Sequence, residues 1–209
     1  MTAVQAPVVT TARHRVAVDG QGITTLVCFH GCPLRCKWCL NPFTWDPKTP
    51  YQLMTPEQLY EKVRKDDLYF RATGGGVTFG GGEPLLQSDF IRQFCDLCGD
   101  GWHLCAETSL WVPWENVETA ARCVDIFYVD CKDTNPEIYR SYTGRDNGLM
   151  LENLKGLLAM VGSERIIVRL PLIPEYNTEQ DQQKSKVLLT QLGITQFDLF
   201  TYQVRKNDR

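Results

Sequence analysis

The sequence lacks the long apolar segments and the strong charge imbalance that are typical of several classes of protein. No stretch approaches the roughly 18 consecutive apolar residues that a membrane-spanning helix needs. Residues 1–16 contain no apolar core of a signal peptide. The net charge of −3 at pH 7 argues against broad electrostatic capture of nucleic acid or of an anionic membrane. We therefore expect a cytoplasmic protein with no nucleic-acid and no membrane partner.

Cysteine is absent between residues 40 and 80, although the chain of 209 residues contains nine. The odd number, the chain length and the lack of an export signal argue against a secreted disulfide framework and favour a reducing compartment. Cys95 and Cys98 form a C-x2-C pair, but they continue the helical apolar stripe of Ile91 and Phe94. Packing is therefore favoured over metal ligation for this pair. Packing is also predicted for Cys28, Cys105 and Cys123.

Three further cysteines, Cys32, Cys36 and Cys39, stand at the spacing C-x3-C-x2-C. A purely structural zinc or iron–sulfur site uses four protein ligands. Three thiolates on a four-iron cluster leave one iron open to a small molecule. The alternative is a zinc loop completed by a distant His or Cys, for which His30 is close enough in sequence.

Short apolar runs alternate with helical patterns along the chain, which predicts an α/β fold with a parallel sheet. The strand count alone does not decide between an open barrel and a doubly wound sheet. Start signals at Thr55-Pro56 and Ser88 predict two helices, and a third follows Pro113. Leu151, Leu154 and Leu158 mark a fourth helix that Gly162 ends, and residues 178–192 form a fifth that Gly193 ends. Six strands are predicted, at residues 23–29, 76–79, 103–106, 126–129, 166–170 and 197–202.

Polar residues or the cysteine motif follow each predicted strand. In parallel α/β barrels the functional groups lie on the loops at the carboxyl ends of the strands. The six strand ends therefore predict one shared rim that carries a site. In strand order, the groups are the cysteine motif, Gly80 to Pro84, Glu107 with Thr108, Asp130 with Lys132, Arg169, and Tyr202 with Gln203.

These motifs together resemble the radical S-adenosylmethionine (SAM) superfamily. Trp38 gives the cysteine motif its C-x3-C-x-aromatic-C form, and Gly81-Gly82-Glu83 after a strand resembles the family's GGE motif. Within the superfamily the chain resembles the activating enzymes of glycyl radical enzymes, of which pyruvate formate-lyase activating enzyme is the best known. That resemblance runs from about residue 19 to 202. It is carried by Gly74 to Thr78, Asp19-Gly20, Asn41-Pro42, Asp130-Cys131-Lys132-Asp133 and Tyr142-Thr143-Gly144.

The resemblance implies a radical SAM fold, a partial (β/α)6 TIM-like barrel, as one domain over residues 1–209 with its core at about 19–203. Some members of the family carry a ferredoxin-like insert between the cysteine motif and the GGE motif, but residues 40–80 lack cysteine, so we expect no such insert here. The resemblance also implies one [4Fe–4S] cluster on Cys32, Cys36 and Cys39, with SAM chelating the open iron. One electron from a flavodoxin or ferredoxin would cleave SAM to a 5′-deoxyadenosyl radical. That radical would take a hydrogen from a glycine Cα of a partner glycyl radical enzyme, in an anaerobic cytoplasm.

The same resemblance implies the residues of the cofactor site. Glu107, Thr108 and Asp130 match positions that hold a monovalent cation, and Asp19 matches a residue that contacts the backbone of the substrate glycine loop. The implied cofactor-binding residues are Trp38, Cys39, Leu40, Asn41, Gly82, Glu83, Thr108, Asp130, Cys131, Lys132, Arg169 and Gln203.

Two positions depart from the family pattern. Gln203 stands where the family often has a histidine near the adenine, and Glu107 stands where it often has aspartate. One alternative function is a radical SAM enzyme that modifies another peptide or a small molecule. Another is a non-enzymatic zinc or iron–sulfur interaction module.

Overall fold

The computed structural model describes residues 4–202 and shows eight strands and seven α-helices among them. None of these helices has the length and apolar character needed to cross a membrane. The strands are β1 Ala6–Val16, β2 Ile23–Phe29, β3 Gln52–Met54, β4 Gly76–Gly81, β5 His103–Thr108, β6 Ile126–Asp130, β7 Ile166–Leu172 and β8 Gln196–Thr201. The helices are α1 Pro56–Val63, α2 Asp67–Thr73, α3 Ser88–Cys98, α4 Trp114–Ala121, α5 Pro136–Thr143, α6 Gly148–Val161 and α7 Glu179–Gln191.

The chain groups into two compact units whose segments interleave along the sequence. The first unit contains the described residues up to Cys32, then Asn41–Thr108 and Pro113–Phe127. The second contains Pro33–Leu40, Ser109–Val112 and the described residues from Tyr128 onward. The expectation of a single domain over residues 1–209 stays a prediction.

In the first unit the strand order is β3-β1-β2-β4-β5, followed by the start of β6. β1 is antiparallel to both β2 and β3, whereas β2, β4 and β5 are parallel. The register pairs Phe29 with Gly81 and Phe79 with Ala106. The cysteine motif and the Gly-Gly-Glu segment therefore leave adjacent strands at the same edge of the sheet.

The two faces of this sheet differ in polarity. One face packs against α3, with ring centroids 5.7 Å apart for Phe29 and Phe90 and 5.5 Å apart for Phe79 and Phe94. Each fully buried phenylalanine stabilises the fold by roughly 1.5–3 kcal/mol. The opposite face carries Glu107, since a Cβ on Gly80 would lie 3.1 Å from its Oε2 atom. These strands therefore pack against apolar side chains on one face of the sheet and carry polar groups on the other face.

Helix boundaries largely follow the predicted start and stop signals. A capping box between Thr55 and Gln58 opens α1, and a second between Thr178 and Asp181 opens α7. The predicted cap at Ser88 is wrong. A 3-10 turn at Pro84–Gln87 leads directly into α3, so Ser88 is already helical and Gln87 occupies the cap position without a side-chain bond.

In the second unit the strand order is β6-β7-β8, and β7 is parallel to β8. The backbone N–H of Cys131 donates to the carbonyl of Arg169 over 3.1 Å, which joins the end of β6 to β7. Buried residues of α6, including Leu154 and Leu157, contribute to the core of this unit. β7 brings Arg169 to the same level as the end of β6.

The predicted fold class is confirmed. The six predicted strands correspond to β2 and β4 to β8, and the strand order over residues 4–202 begins at β3 and ends at β8, so the sheet is open. The predictions omitted β1, β3, α2 and α5. β1 was missed because residues 1–16 read as polar: its second half is largely solvent-exposed and contains Arg13 and His14.

Candidate active site

The Gly-Gly-Glu segment of the first unit depends on glycine for a close backbone approach. A Cβ on Gly82 would lie 2.1 Å from the carbonyl oxygen of Gly31, and Gly81 has φ +86°. The Gly82 N–H donates to the carbonyl of Phe29 over 3.1 Å, and the Glu83 N–H donates to that of Gly31 over 2.8 Å. Only glycine fits this geometry, which fixes Glu83 beside the chain segment that leads into Cys32.

Glu83 is a buried carboxylate with defined donors. Glu83 is 1% exposed to solvent. Its Oε1 atom accepts hydrogen bonds from the Thr108 hydroxyl over 2.6 Å and from the Leu85 N–H over 3.2 Å. Thr108 ends β5 and Glu83 follows β4, so neighbouring strand ends supply the carboxylate and its donor. Such bonds to a charged acceptor orient the carboxylate as well as stabilise it.

Two further predicted residues of the first unit lie near this segment. The Asn41 side-chain amide donates to the carbonyl of Gly81 over 3.5 Å. Glu107 is half-buried on the polar face of the sheet. Burial, reinforced by the charge of Glu107, raises the pKa of the Cys28 thiol to about 11. A cation at Glu107 and Thr108 stays a prediction.

Asp19, predicted to contact substrate, is buried in the turn between β1 and β2. Its carboxylate accepts from the Arg15 guanidinium, with the Nη2 donor 3.0 Å from Oδ1. Its backbone carbonyl accepts from the hydroxyl of Thr78. The ion pair gives the turn a fixed conformation on the polar face of the sheet, and the substrate role of Asp19 stays a prediction.

In the second unit, α5 anchors the central part of the cysteine motif. The Arg35 N–H donates to the carbonyl of Thr143 over 2.9 Å, and the Lys37 N–H donates to that of Tyr142 over 3.1 Å. The last carbonyls of a helix have no partner within the helix, so they are available as acceptors. Gly144 ends α5 in the left-handed conformation, with φ +78°. The motif's backbone on both sides of Cys36 is therefore bonded to a helix end.

Side chains add two contacts to the same part of the motif. The Trp38 indole N–H donates to the carbonyl of Pro174 over 3.4 Å, and Arg145 Nε donates to that of Pro33 over 3.3 Å. Trp38 and Cys39 are half-buried, whereas Leu40 is 64% exposed. These bonds hold the central part of the motif in place.

The cysteine thiols have the chemistry that a cluster requires. Cys32, Cys36 and Cys39 are unbridged and half-buried. Burial raises the pKa of the Cys36 thiol to about 11, an effect that the nearby ammonium of Lys132 opposes. Within residues 4–202, no three His, Cys, Asp or Glu side chains form a metal-binding group. Three thiolates are the donor set that the sequence predicts for a cluster with an open iron, and the ligation itself stays a prediction.

Asp130 lies between two cations at the end of β6. It accepts from Arg169 Nε over 2.6 Å and from Lys132 Nζ over 3.0 Å. Burial alone would raise the pKa of Asp130, but Arg169 and Lys132 outweigh it and lower the pKa to about 2. An ammonium has three donors, so the bond to Asp130 leaves Lys132 able to contact a ligand carboxylate. Cys131, predicted beside the cofactor, is fully buried.

Sequence reasoning did not identify the residues that hold this charged group. The Asp133 carboxylate accepts from the Asn135 N–H over 2.8 Å, from the Asn177 amide over 3.1 Å and from the Ser185 hydroxyl over 3.3 Å. These bonds fix the segment that carries Asp130 and Lys132 to the start of α5 and to α7. In the sequence, Asn135 directly before Pro136 is a helix-start signal, and it points to the start of α5 that Asp133 contacts. Gln203, predicted near the adenine, lies outside the described residues.

Comparisons with known proteins identify the family of the chain. Residues 26–183 match the family model described as the radical SAM superfamily. The chain is 30% identical to the (2S)-3-sulfopropanediol dehydratase activating enzyme of Klebsiella oxytoca over 238 aligned positions, which cover 84% of this chain and 74% of that protein. It is 40% identical to the pyruvate formate-lyase-activating enzyme of Clostridium pasteurianum, over 61% of this chain and 53% of that protein.

A solved structure resembles the fold. Streptococcus suis SuiB bound to S-adenosylmethionine matches with a TM-score of 0.65 at 13% identity, over 84% of this chain and 39% of SuiB. The likeness at this identity concerns the fold alone. The family match and the Klebsiella relative, of which three quarters is covered, are stronger evidence. The chain belongs to the radical SAM superfamily and, within it, to the activating enzymes of glycyl radical enzymes.

Proposed function

We propose that this protein reductively cleaves SAM and abstracts a hydrogen atom from a glycine Cα of a partner glycyl radical enzyme. The observation that carries the proposal is the buried Glu83 carboxylate, held by Thr108 and by the Leu85 N–H next to the segment that leads into Cys32. A buried carboxylate with fixed donors is suited to bind an ammonium such as the amino group of SAM.

Within this proposal the residues have distinct tasks. Cys32, Cys36 and Cys39 would hold a [4Fe–4S] cluster, and Glu83 would bind the amino group of SAM. When bound, the cluster and SAM supply the radical chemistry, as cofactors generally do. Lys132 would contact the SAM carboxylate, while Asp130 keeps its ammonium charged and in place. The protein thus contributes mainly the positions of the reacting atoms and the exclusion of water.

The remaining cofactor contacts belong to the same proposal. Asp19 would contact the backbone of the substrate glycine loop once its carboxylate exchanges part of its bond to Arg15. We also propose a monovalent cation at Glu107, Thr108 and Asp130. The proposed SAM contacts further include Trp38, Cys39, Leu40, Asn41, Gly82, Cys131, Arg169 and Gln203.

The proposed partner is a protein. The names of the two relatives above state that one activates a dehydratase and the other activates pyruvate formate-lyase. We propose that this chain likewise acts on a glycyl radical enzyme, with a flavodoxin or ferredoxin as electron donor, in an anaerobic cytoplasm. The chemistry of the partner enzyme is a separate question, which the identity of the neighbouring gene can answer.

The first experiment tests the chemistry without the partner. The full chain is loaded anaerobically with iron and sulfide, reduced with dithionite and mixed with SAM. We expect about four irons per chain and formation of 5′-deoxyadenosine. Cys36→Ala should abolish the product, whereas Cys28→Ala, a cysteine outside the motif, should retain it. Colourless, zinc-loaded protein after anoxic purification would contradict the proposal.

The second experiment tests the substrate. The loaded enzyme is mixed anaerobically with the glycyl radical enzyme that is encoded beside its gene, and electron paramagnetic resonance spectra are recorded. We expect the doublet of a glycine-centred radical in the partner. Formation of 5′-deoxyadenosine together with a chemically altered but radical-free partner or small molecule would instead indicate another radical SAM reaction.

A further inference from the structure

A second group of cysteines lies in the first unit, at the opposite ends of the strands from Glu83. Cys95 and Cys98 lie on α3, and Cys123 follows the end of α4. Cys95 and Cys123 line the same cavity, whose volume is about 630 Å3. Gly75 and His103, which mark the amino ends of β4 and β5, line it as well. Both thiols can therefore be reached by a small solute, at a place that the proposed activity does not use.

Cys95 and Cys123 contact each other directly. The Cys95 thiol donates a hydrogen bond to the sulfur of Cys123. Cys95 is 8% exposed, whereas Cys123 is half-buried. The Cys123 thiol in turn donates to the carbonyl oxygen of Ala120 over 3.6 Å, at the end of α4. Both sulfurs therefore lie near the ends of helices α3 and α4, where small backbone shifts are easiest.

The surroundings make the two thiols chemically unequal. The hydrogen bond from Cys95, with a smaller contribution from Arg92, lowers the pKa of Cys123, although burial, Asp96 and Asp125 oppose this. The same hydrogen bond and burial raise the pKa of Cys95. Cys123 is also the more exposed of the two residues. Because the thiolate is the nucleophile, Cys123 is the thiol that reacts first and Cys95 is the thiol that reacts second.

We propose that Cys95 and Cys123 form a dithiol site that hydroperoxides oxidise to a disulfide. The Cys123 sulfur attacks the peroxide, an S–O bond forms, the O–O bond breaks, and the alcohol or water leaves with a proton. The Cys95 sulfur then attacks the sulfenic sulfur of Cys123, so that the S–S bond forms and water leaves. In sum, two thiols and one hydroperoxide give a disulfide, an alcohol and water, with two electrons transferred to the peroxide.

This site does not depend on the proposed function, since none of its thiols belongs to the cysteine motif. The disulfide would covalently join α3 to the segment after α4 and close a loop in the unfolded chain. We expect it to raise the melting temperature by about 5–10 °C, as a loop of this size does in a chain of this length. It would therefore record exposure to oxidant in the protein itself.

Peptide mapping tests the proposal on the full chain. Reduced protein is treated anaerobically with one equivalent of hydrogen peroxide, alkylated and digested with trypsin without reductant. We expect a disulfide between the peptide of residues 93–122 and that of residues 123–132, with fragmentation assigning it to Cys95 and Cys123. The motif cysteines lie on other peptides, so their oxidation is scored separately.

Variants make the assignment unambiguous. Cys98→Ser is the matched control, because Cys98 lies on the same helix and the same peptide, and it should retain the disulfide. Cys95→Ala and Cys123→Ala should abolish both the linked peptides and the rise in melting temperature; circular dichroism of each variant checks folding. A disulfide to Cys98 instead, or full alkylation of Cys95 and Cys123 after peroxide in the folded wild type, would overturn the proposal.

Discussion

The bond between Thr108 and Glu83 gives the sharpest test of how the cofactor site is organised. Thr108→Val removes the hydroxyl but keeps the shape of the side chain, so that it leaves almost no cavity. The lost bond is short, at 2.6 Å, and joins two residues that are each 1% exposed. A hydrogen bond to a charged group contributes about 1.5–3 kcal/mol. We expect the free energy of unfolding of the cluster-free protein to fall by about this amount.

If Glu83 binds the SAM amino group, a Glu83 carboxylate that has lost its orientation also binds SAM more weakly. We expect Thr108→Val to raise the Kd for SAM about tenfold or more, the equivalent of about 1.4 kcal/mol, in calorimetry on the anaerobically loaded enzyme. Thr108→Ser should restore the affinity.

A matched control separates cofactor binding from folding. Thr25 is fully buried too, and its hydroxyl donates to a carboxylate, that of Asp66, over 3.3 Å. Thr25→Val should therefore lower the stability but leave the affinity for SAM unchanged. An affinity for SAM within twofold of wild type in folded Thr108→Val would refute the reasoning that Thr108 positions Glu83.

Three further predictions concern other parts of the structure. Gly144→Ala and Gly74→Ala both place alanine in a left-handed helix cap, at φ +78° and +67°. Each should lower the free energy of unfolding, measured in urea, by about 1–2 kcal/mol. Gly144→Ala alone of the two should lose iron faster to a chelator, because its helix anchors the cysteine motif. The pKa of Asp130 is lowered from 3.8 to about 2, so its charge stabilises the fold fully above pH 4 and less as the pH falls towards 2. Asp130→Asn should therefore lower the free energy of unfolding by about 2 kcal/mol at pH 6, with the difference closing towards pH 2; a constant difference would contradict this. Asp66→Asn, at a fully buried carboxylate, should cost about 2–3 kcal/mol. Asp96→Asn, at an exposed carboxylate that pairs with Arg92, should cost less than about 1 kcal/mol by the same measurement.

The parts of the fold that could be predicted are those in which burial imposes a pattern. β2, β4 and β5 are buried on both faces and read as apolar runs, so their positions followed from the sequence. α1 and α7 begin with capping boxes and were placed within a residue. β1 was not predicted, because its antiparallel pairing is irregular, with register shifts on both sides of Ala12. No clean alternation of polar and apolar residues therefore remains in its sequence. α5 had a start signal at Asn135-Pro136 that was not used.

The candidate site divides in the same way between side chains and backbone. Residues whose side chains carry charge or sulfur, such as Glu83, Lys132 and the cysteines, can be recognised from their type and spacing. The groups that hold them are in large part backbone carbonyls, for example those of Gly31, Tyr142 and Thr143. Every residue has a carbonyl, so the sequence does not show which ones are used as acceptors.

The same division explains what glycine does in this site. Gly82 lacks a Cβ that would clash with Gly31, and Gly144 adopts a φ that other residues rarely reach. Neither supplies a chemical group, yet each determines where a backbone donor or acceptor lies relative to the segments that carry Glu83 and Cys36. In a reaction whose chemistry comes from cofactors, the protein's part is the placement of atoms. Loss of such a glycine should therefore reduce cofactor retention and turnover more than stability, whereas loss of a core phenylalanine such as Phe79 should do the reverse.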